Sequence, residues 1–504
     1  MDRVLVVNFG GQYVHLIARR VRELGVYAEV VPPEDAPVFA KDMSVKAVIL
    51  SGGPSSVYER NAPEIPGDLL TLGKPLLGIC YGHQLLAKKL GGVVKRGKGE
   101  YGKTVVKITR EDPLFHEWER EEVVWMSHSD YVEKPPEGFE VLAVSENGYV
   151  AAMRRGDIYG VQFHPEVSHT AKGMLLIRNF LQIAKITPEW WPERQAERLV
   201  EEIRKAAPEG YVIIGVSGGI DSTVTAMLVH KAVGERAKAV FVDHGLFREG
   251  EPERVISLLK TLGIDVYYID AREKFLNRLE GVSDCEEKRK IVGEIFAEIF
   301  TETISQFPNA KYLAQGTLYP DVIESGAVKG ADRIKSHHNV GGLPQWFNLR
   351  LIEPLREFYK DEVRKIAKAL GLPEEVVWRH PFPGPGLAVR IVGRFTREKL
   401  EIVRKASRIV EEELENAGLY QKVWQAFAVI GEDKWVGVRG DRRAVGYVVT
   451  VRVVESEDAM TADWARVPYE VLDKISRRIT AEIPEVTMVT YAISSKPPST
   501  IEPC

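Results

Sequence analysis

The 504-residue chain has only three cysteines, Cys80, Cys285 and Cys504, which are too few and too scattered for a disulfide framework or a zinc ligand set. No apolar run is long enough to span a bilayer, and the first residues lack an apolar core followed by a small-residue cleavage site. Lys and Arg (68) do not outnumber Asp and Glu (72), so no overall positive field attracts a nucleic acid. These absences predict a cytoplasmic protein without a membrane or nucleic-acid partner.

The composition, 44% hydrophobic and 28% charged, is that of an ordinary folded protein, and the length suits about three domains. Short β-branched runs that end in glycine alternate with helical periodicity, first up to about residue 187 and again from residue 211. A long charged helix and three strand runs follow. We therefore predict an α/β protein with two doubly wound parallel-sheet domains, 1–187 and 188–382, followed by a smaller α+β domain, 383–504.

The string Gly78-Ile79-Cys80-Tyr81-Gly82 lies between an apolar run and a helical segment. Glycines two residues on either side of the thiol permit the tight turn of a nucleophile elbow, with cysteine in the place of serine. A helix N-terminus also favours the thiolate, the form that attacks a carbonyl carbon. A small buried residue at a strand end would look the same, so a nearby base must decide between the two interpretations.

Such a base is offered by Gln162-Phe163-His164-Pro165-Glu166, which follows a later strand run. Residues two apart in an extended chain face the same side, so His164 and Glu166 predict a general base and the carboxylate that orients it. Taken singly, they would be a structural histidine and a solvated carboxylate. The cysteine elbow upstream favours the catalytic interpretation.

A third segment, Ser51-Gly52-Gly53-Pro54, also follows a strand run. Glycine lets backbone N–H groups approach a substrate closely, so we predict that the N–H groups of Gly53 and Tyr81 stabilise an oxyanion. A plain turn explains the segment equally well on its own.

A phosphate site is predicted at Ser217-Gly218-Gly219-Ile220-Asp221-Ser222-Thr223, between an apolar run and a helical segment. Small residues let successive N–H groups turn toward an anion, and the helix dipole adds to the attraction. There is no Walker lysine, so the main chain and the hydroxyls of Ser217, Ser222 and Thr223 would hold pyrophosphate as a leaving group. Asp221 is predicted to hold Mg²⁺ through the ATP phosphates, although a glycine pair here also suits a simple turn.

The polar stretch 335–344 contains Lys335, His337 and His338 together with a glycine hinge. We predict a lid that carries these side chains to the bound nucleotide. Adjacent histidines point apart in most backbones and no third ligand follows at metal spacing, so a metal site is the weaker interpretation. A solvated loop is an equal alternative to the lid.

Residues 1 to about 187 resemble the class I glutamine amidotransferases, which carry the same elbow, Gly-Ile-Cys-Tyr-Gly-His-Gln, and the same His-Pro-Glu pair. The resemblance implies that Cys80 forms a thioester with glutamine, that His164 acts as general base and acid, and that ammonia is released. It also implies a glutamine site formed by Gly52, Gln84, His128 and Ser129.

The Ser-Gly-Gly-x-Asp-Ser string resembles the loop of the ATP pyrophosphatases, which cleave ATP between the α- and β-phosphates and transfer AMP. In that family the strand that contains Val242 lies by the adenine. Together the two motifs predict an amide-nitrogen transferase, which releases ammonia and adenylates a carbonyl oxygen. Ammonia, kept from bulk solvent, would then displace AMP. Glutamine and ATP with Mg²⁺ are then the expected substrates, with no prosthetic group.

The chain as a whole resembles the GMP synthetases in its domain order and in the strings His380-Pro-Phe-Pro-Gly-Pro-Gly386 and Lys496-Pro-Pro-Ser-Thr-Ile-Glu502. The resemblance implies xanthosine 5′-monophosphate (XMP) as the acceptor, activated at its C2 oxygen. The acceptor-binding residues that it implies are Arg289, Gly384, Gly386, Asp441, Lys496, Thr500 and Glu502. It also implies a homodimer through the C-terminal domain, and the run 447–454 fits either that interface or a buried core strand.

The chain departs from the family pattern at His244, where asparagine is usual, and at Pro503-Cys504, where the family has Trp-Glu. We expect Cys504 to be a surface thiol and Cys285 to be structural or inert. A tRNA thiolase or an NAD synthetase is the nearest rival, but a thiolase needs a second cysteine beside the ATP loop and a basic RNA face. A non-catalytic nucleotide or glutamine sensor is the rival of another class, and the complete triad argues against it.

Overall fold

The computed structural model describes residues 1–324, 349–456, 459 and 461–504, with the backbone alone at 323 and 324. The chain forms two compact units, Met1–Trp191 and Pro192–Cys504. No helix in the described ranges is long and apolar enough to cross a bilayer.

The first unit contains one nine-stranded sheet with strand order β2-β1-β3-β4-β9-β8-β7-β5-β6. Its strands are β1 (Arg3–Val7), β2 (Tyr27–Val31), β3 (Val45–Leu50), β4 (Leu76–Ile79), β5 (Val93–Ile108), β6 (Glu121–Lys134), β7 (Glu140–Ser145), β8 (Val150–Arg155) and β9 (Ile158–Val161). Its helices are α1 (Val14–Glu23), α2 (Ala36–Ala40), α3 (Tyr81–Lys89) and α4 (Gly173–Ile183).

The strands β2, β1, β3, β4 and β9 pair in parallel, as the sequence predicts. They are short apolar runs, and the last four residues of β1 are fully buried, as is usual for a parallel sheet covered on both faces. The remaining strands pair antiparallel, which the sequence analysis did not predict. Their charged residues alternate with apolar ones, since one face of β5 and β6 is solvated.

The second unit contains a five-stranded parallel sheet, in the order β12-β11-β10-β13-β14, and a four-stranded mixed sheet. Its strands are β10 (Tyr211–Gly215), β11 (Ala237–Asp243), β12 (Val266–Asp270), β13 (Ala310–Ala314), β14 (Arg350–Ile352), β15 (Gln425–Arg439), β16 (Arg442–Glu455), β17 (Asp463–Trp464) and β18 (Val486–Tyr491). Its helices are α5 (Ala196–Ala206), α6 (Ile220–Val233), α7 (Glu251–Thr261), α8 (Arg272–Leu279), α9 (Cys285–Ser305), α10 (Tyr319–Glu324), α11 (Lys360–Ala369), α12 (Glu374–Val377), α13 (Arg397–Asn416) and α14 (Tyr469–Glu482).

The parallel strands of the first sheet, the five-stranded parallel sheet and the final α+β region confirm the predicted α/β class. The long charged helix begins where the sequence indicates, because the side chain of Thr396 accepts a hydrogen bond from the Lys399 N–H and caps α13. One apolar core runs through the second unit from β10 and β11 to α13, β15 and β16. The predicted division of this unit near residue 382 therefore stays a prediction.

The run 447–454 is a core strand and not a free edge. Residues Tyr447–Val451 of β16 pair with β15 on one side and with β18 on the other, and Val454 pairs with Trp464 of β17. Val449, Val451 and Val453 are buried. Of the two interpretations left open by the sequence, the structure supports the buried strand.

Candidate active site

The predicted nucleophile, Cys80, lies between the end of β4 and the start of α3. It is 5% exposed, and its φ of 51° is a value that few residues other than glycine adopt. Its N–H donates to the Val161 carbonyl of the neighbouring strand β9 at 2.8 Å, and its thiol lies 3.7 Å from the carbonyl oxygen of Ser127. A strained turn directly before a helix is the geometry of a nucleophile elbow.

The two glycines around Cys80 make this turn possible. A Cβ on Gly78 would lie 2.7 Å from the carbonyl carbon of Gly82, and a Cβ on Gly82 would lie 2.5 Å from the carbonyl oxygen of Leu50. The Gly82 N–H also donates to the Ser51 carbonyl at 3.1 Å, so the elbow packs directly on the end of β3. Any side chain at either position would push the main chain apart.

His164 and Glu166 follow β9, and both are buried. Nδ1 of His164 lies 2.7 Å from Oε1 of Glu166, as the sequence predicts. The backbone of His164 is fixed as well, because its N–H donates to the Trp125 carbonyl at 3.0 Å and its carbonyl accepts from the Thr170 hydroxyl at 2.6 Å. One carboxylate therefore orients an imidazole that cannot easily move.

Opposing effects act on the pKa of His164. Burial alone would lower it, but the charge of Glu166 and the neighbouring Cys80 sulfur, with hydrogen bonds to both, raise the pKa of His164 well above its ordinary value. An imidazole with a raised pKa accepts the thiol proton readily, which favours the thiolate–imidazolium pair. The three side chains can therefore act as nucleophile, base and orienting carboxylate.

Gly52 and Gly53, after β3, approach the thiol from another side. A Cβ on Gly52 would lie 3.1 Å from Cε1 of His164, and a Cβ on Gly53 would lie 3.1 Å from a ring carbon of Tyr81. Tyr81 is the first residue of α3, and the first N–H groups of a helix have no partner within it. Gly53 and Tyr81 are thus neighbours close to Cys80, and the role of their N–H groups as oxyanion donors stays a prediction.

The predicted glutamine-site residues Gln84 and His128 converge on one main-chain oxygen. Nε2 of Gln84 and Nδ1 of His128 lie 2.7 and 2.8 Å from the carbonyl oxygen of Asp130, and both side chains are buried. They therefore hold the backbone of β6 near the thiol. Ser129 is half-buried between His128 and Asp130.

Glu100 was not identified from the sequence, and it lies against His128. Its Oε2 is 3.0 Å from Nε2 of His128, and Asn147 donates to its Oε1 at 2.8 Å. Burial raises the pKa of Glu100, but hydrogen bonds from His128, Ser145 and Asn147 outweigh burial and lower it. Glu100 and His128 face each other across β5 and β6, a register that no local pattern encodes.

The predicted phosphate loop forms a tight turn between β10 and α6. Gly218 has a φ of 81°, and the Ser217 N–H donates to the Ser222 hydroxyl at 3.2 Å. The hydroxyls of Ser222 and Thr223 donate to the Gly219 carbonyl at 3.0 and 2.9 Å. The predicted hydroxyls therefore shape the loop, and their contact with a phosphate stays a prediction.

Asp221 lies next to the buried Ile220, in the first turn of α6. Its Oδ2 is 2.5 Å from Nζ of Lys360, the first residue of α11. Its Oδ1 is buried without a hydrogen-bond partner among the described residues. A carboxylate oxygen left free beside a phosphate loop fits Mg²⁺, which takes one or two protein carboxylates together with substrate phosphates. Lys360 was not identified from the sequence, because 139 residues separate it from Asp221.

Val242 is buried at the end of β11, beside the loop, because β11 and β10 are neighbours. His244, the residue that departs from the family asparagine, stacks on Phe247 with ring centroids 3.8 Å apart, and its Nδ1 accepts from the Leu246 N–H at 2.9 Å. Burial, and then the charge of Arg404, lower the pKa of His244 to about 3. It is therefore a neutral structural side chain in the folded protein.

Glu502, predicted to bind the acceptor, lies in a polar cluster at the start of β15. Arg390, which is fully buried, lies 2.9 and 3.1 Å from the two carboxylate oxygens, and Gln425 donates to one of them at 2.5 Å. The Thr500 hydroxyl donates to the Glu502 carbonyl at 2.6 Å, and Lys496 donates to a main-chain carbonyl at 2.7 Å. Arg390 and Gln425 were not identified from the sequence.

The other predicted acceptor residues, Gly384, Gly386 and Asp441, lie in different surroundings. Gly384 would accept a Cβ without contact, whereas Gly386 has a φ of 60° and a Cβ there would lie 2.5 Å from the Leu246 carbonyl oxygen. Asp441 is exposed in the turn between β15 and β16. That turn is at the opposite end of β15 from Gln425; the paired strand β16 covers the same distance between Val454 and Arg442, roughly 40 Å at the usual rise per residue. Within one chain, Asp441 and Glu502 do not form one site.

The expectation of a surface thiol at Cys504 was wrong, and of the two alternatives for Cys285 the structure supports a structural residue. Cys285 and Cys504 form a disulfide with their Cα atoms 5.3 Å apart, so neither is an inert or surface thiol. They are 219 residues apart, and only the fold brings them together. Cys80 is the free, buried cysteine. The predicted lid residues Lys335, His337 and His338 lie outside the described residues.

Comparisons with known proteins match each part of the chain. The family of class I glutamine amidotransferases matches residues 5–184, NAD synthase matches 193–294, and the GMP synthase C-terminal domain matches 412–503. A glutamine-hydrolysing GMP synthase of Pyrobaculum aerophilum is 74% identical over 505 residues, with all of both chains covered. Those of Aquifex aeolicus and Aeropyrum pernix are 52% and 53% identical, with 99% of this chain and 99% and 98% of theirs covered. Likeness of this degree over the full length shows that the chain belongs to the glutamine-hydrolysing GMP synthases.

Proposed function

We propose that this chain is an ATP-dependent carbon–nitrogen ligase that converts XMP to GMP with ammonia taken from glutamine. The observation that carries the proposal is that one chain holds both a buried Cys80–His164–Glu166 arrangement and a phosphate loop with Asp221 in its first helical turn. The products would be GMP, AMP, pyrophosphate and glutamate.

In the first half-reaction, the Cys80 thiolate attacks the side-chain carbonyl of glutamine. The negative oxygen that forms would accept hydrogen bonds from the N–H groups of Gly53 and Tyr81. The carbon–nitrogen bond then breaks while His164 donates its proton to the leaving ammonia, and a thioester remains on Cys80. His164, still oriented by Glu166, next removes a proton from the water that hydrolyses the thioester to glutamate.

In the second half-reaction, the C2 oxygen of XMP attacks the α-phosphorus of ATP and pyrophosphate leaves. The N–H groups and hydroxyls of residues 217–223 would hold the pyrophosphate, with Mg²⁺ at the free oxygen of Asp221 neutralising its charge. Ammonia then attacks C2, and AMP leaves with the former oxygen. Binding the leaving group, rather than a terminal phosphate, explains why the loop needs no Walker lysine.

The alternative is another ammonia-dependent ATP-pyrophosphatase that forms an amide, such as the NAD synthases that match residues 193–294. The observation against it is the match of residues 412–503 to the C-terminal domain of GMP synthases. The Glu502 cluster, with Arg390 fully buried beside it, would be the corresponding acceptor site of this chain. The two functions differ in the acceptor that the enzyme needs.

A homodimer through the C-terminal region is part of the proposal. Val436 and Val445 are paired across β15 and β16, and both are exposed together with Val438. These apolar side chains on one hairpin face favour burial against a second copy of the chain. The second copy would also offer an Asp441 that the first chain cannot bring to its own Glu502.

We also propose that the enzyme works in the cytoplasm and binds no nucleic acid, as expected for an enzyme with small-molecule substrates. Disulfides are rare in the cytosolic proteins of mesophiles, but they are common in intracellular proteins of hyperthermophiles. The Cys285–Cys504 bond is therefore compatible with that location in a hyperthermophile.

Substitution of Cys80 by alanine tests whether glutamine is hydrolysed at one site and XMP is aminated at another. Cys80→Ala should abolish GMP formation from glutamine, XMP and ATP, because the thioester cannot form, and it should leave GMP formation from added ammonium intact. The product is identified by mass. Loss of both reactions would contradict the assignment of the two reactions to separate sites. Activity with another acceptor but not with XMP would favour the alternative enzyme.

A further inference from the structure

The last residues of the chain carry three of the predicted acceptor contacts but no regular secondary structure. In this C-terminal tail, defined as residues 496–504, no residue is buried and 497–500 are exposed. The tail therefore has no hydrophobic core of its own. At its start the tail is held by two main-chain hydrogen bonds between Lys496 and Ala462, and the Arg452 guanidinium donates to the Thr500 carbonyl at 3.0 Å. At its end it is held by the pair of Glu502 with Arg390 and by the disulfide of Cys504 with Cys285.

The other half of the disulfide belongs to a well-anchored helix. Cys285 is the first residue of α9, and Asp284 caps the helix by accepting from the Glu287 N–H at 2.8 Å. Lys288 is fully buried, and its Nζ donates to the carbonyls of Ile391 and Gly393 at 2.5 and 2.7 Å. The apolar side chains that follow along α9 lie in the main core of the unit. Cys285 is thus a fixed point to which the tail is attached.

Two residues on one face of α9 contact Cys504. Cys285 and Arg289 are four residues apart and lie on the same face of α9. Cys285 is bonded to the Cys504 sulfur, and the Arg289 guanidinium donates to a main-chain oxygen of Cys504. Arg289 and Glu502 are both predicted acceptor residues. Glu502 is connected to α9 through Pro503, Cys504 and the disulfide to Cys285.

We propose that the Cys285–Cys504 disulfide positions the acceptor site, because it fixes the Glu502 side of the tail relative to Arg289 on α9. Cys285 and Cys504 are then positioning residues and do not touch XMP. The inference rests on the proposed function, since it assumes that the tail binds XMP. Nothing in the pattern of three scattered cysteines indicates such a role.

The size of the expected effect follows from how often a released tail would occupy its bound position. Without the disulfide, the tail keeps only hydrogen bonds and one ion pair, in which Arg390 is buried and the Glu502 side chain is 18% exposed to water. If the released tail is correctly placed about a tenth of the time, the apparent affinity for XMP falls about tenfold. Saturating XMP would restore the ordered tail, so the turnover number should stay unchanged.

The experiment compares the oxidised enzyme with the same enzyme after treatment with a dithiol such as dithiothreitol. The dithiol supplies two electrons and two protons, which convert the disulfide to two thiols while the reagent closes to a cyclic disulfide. GMP formation is measured with ammonium as the nitrogen donor, so that Cys80 is not needed. We expect the KM for XMP to rise about tenfold on reduction, with the KM for ATP and kcat unchanged.

Cysteine variants separate the bond from the side chains. Cys285→Ser, Cys504→Ser and the double variant should show the same rise in the KM for XMP, because each lacks the same bond, and the dithiol should then have no further effect. A rise in Cys504→Ser alone would mean that residue 504 acts directly and would overturn the proposal. So would an unchanged KM for XMP in reduced enzyme.

Two further readouts make a negative result interpretable. Labelling of the denatured, unreduced protein should find one free thiol and, after reduction, all three; three thiols before reduction would overturn the proposal. If oxidised enzyme forms no GMP from XMP at all, the proposed function has failed. GMP formation with the same KM for XMP in both redox states contradicts only the positioning role.

Discussion

At the scale of single residues, Glu166 decides the protonation of the catalytic pair. Its carboxylate is 2.7 Å from His164, and its charge is the main influence that opposes burial and raises the pKa of His164. A neutral isostere would keep the shape and the hydrogen bond but lose the charge. The imidazole would then hold the thiol proton less firmly.

Glu166→Gln should lower glutamine-driven GMP synthesis on the order of a hundredfold, as is typical when proton transfer is impaired. The pKa of His164 should fall, so the alkaline limb of the glutaminase pH profile should move to lower pH. Ammonium-driven synthesis serves as the control and should not change. An alkaline limb at its original pH would mean that Glu166 does not set the charge of His164.

Functional residues could be predicted where a short local string sets their geometry. Those that were missed contact partners far away along the chain. Cys80, His164 and Glu166 could be predicted because each sits in a short string whose turn or spacing is set locally. Lys360 and Arg390 could not, since they contact Asp221 and Glu502 over 139 and 112 residues. Pairs of this kind are determined by how the elements pack, which no single-sequence pattern contains.

At the scale of elements, the phosphate loop depends on a conformation that only glycine adopts without strain. Gly218 has a φ of 81°, and a Cβ there would lie 2.4 Å from a side-chain carbon of Val255 on α7. Its carbonyl accepts from Arg379 at 3.0 Å, so the loop is held on two sides. A displacement of the Gly218 backbone would redirect the N–H groups that follow it.

Gly218→Ala should therefore reduce AMP formation at least tenfold while Cys80 still reacts with an electrophilic glutamine analogue. Gly371→Ala is the matched control, because Gly371 also has a positive φ, 82°, but a Cβ there meets nothing within 4 Å. Both variants carry backbone strain of about 1–2 kcal/mol. Equal losses of AMP formation in the two would mean that the effect is general destabilisation.

The parallel core could be predicted at this scale, because short apolar runs followed by helical periodicity are typical of parallel strands that helices cover on both faces. The antiparallel strands β5 and β6 could not, since their half-exposed, charged sequences resemble solvent-facing loops. The register of β5 against β6, which places Glu100 opposite His128, depends on pairing over many residues.

At the scale of the whole molecule, buried neutral histidines make the fold sensitive to acid. Burial is the main cause that lowers the pKa of His83 in the first unit, and of His244 and His380 in the second, to about 3. Between about pH 6.5 and 3 the unfolded chain binds these protons and the folded chain does not. The free energy of unfolding should therefore fall as the pH falls through this range.

His244→Asn, which restores the residue usual in the family, should make this loss shallower by up to about 1.4 kcal/mol per pH unit, the value for one proton. Urea unfolding of the full chain at several pH values measures the slope. His230→Asn is the matched comparison in the same unit, because His230 is only half-buried on α6; an equally shallow loss in that variant would mean that the effect is not specific to His244. An unaltered slope in His244→Asn would show that His244 gains its proton before unfolding.

The disulfide ties the C-terminal tail to α9 and closes a loop of 219 residues, which restricts the unfolded chain more than the folded one. Loop-closure entropy for such a length corresponds to as much as about 5 kcal/mol, so reduction should lower the free energy of unfolding by a large part of that amount. The reduced unfolded chain is also more expanded, so the urea m-value should rise. Cys285→Ser should match the reduced protein, and Cys80→Ser, which breaks no bond, should unfold with the m-value of the oxidised protein. Equal m-values for oxidised and reduced protein would mean that the bond does not restrain the unfolded state.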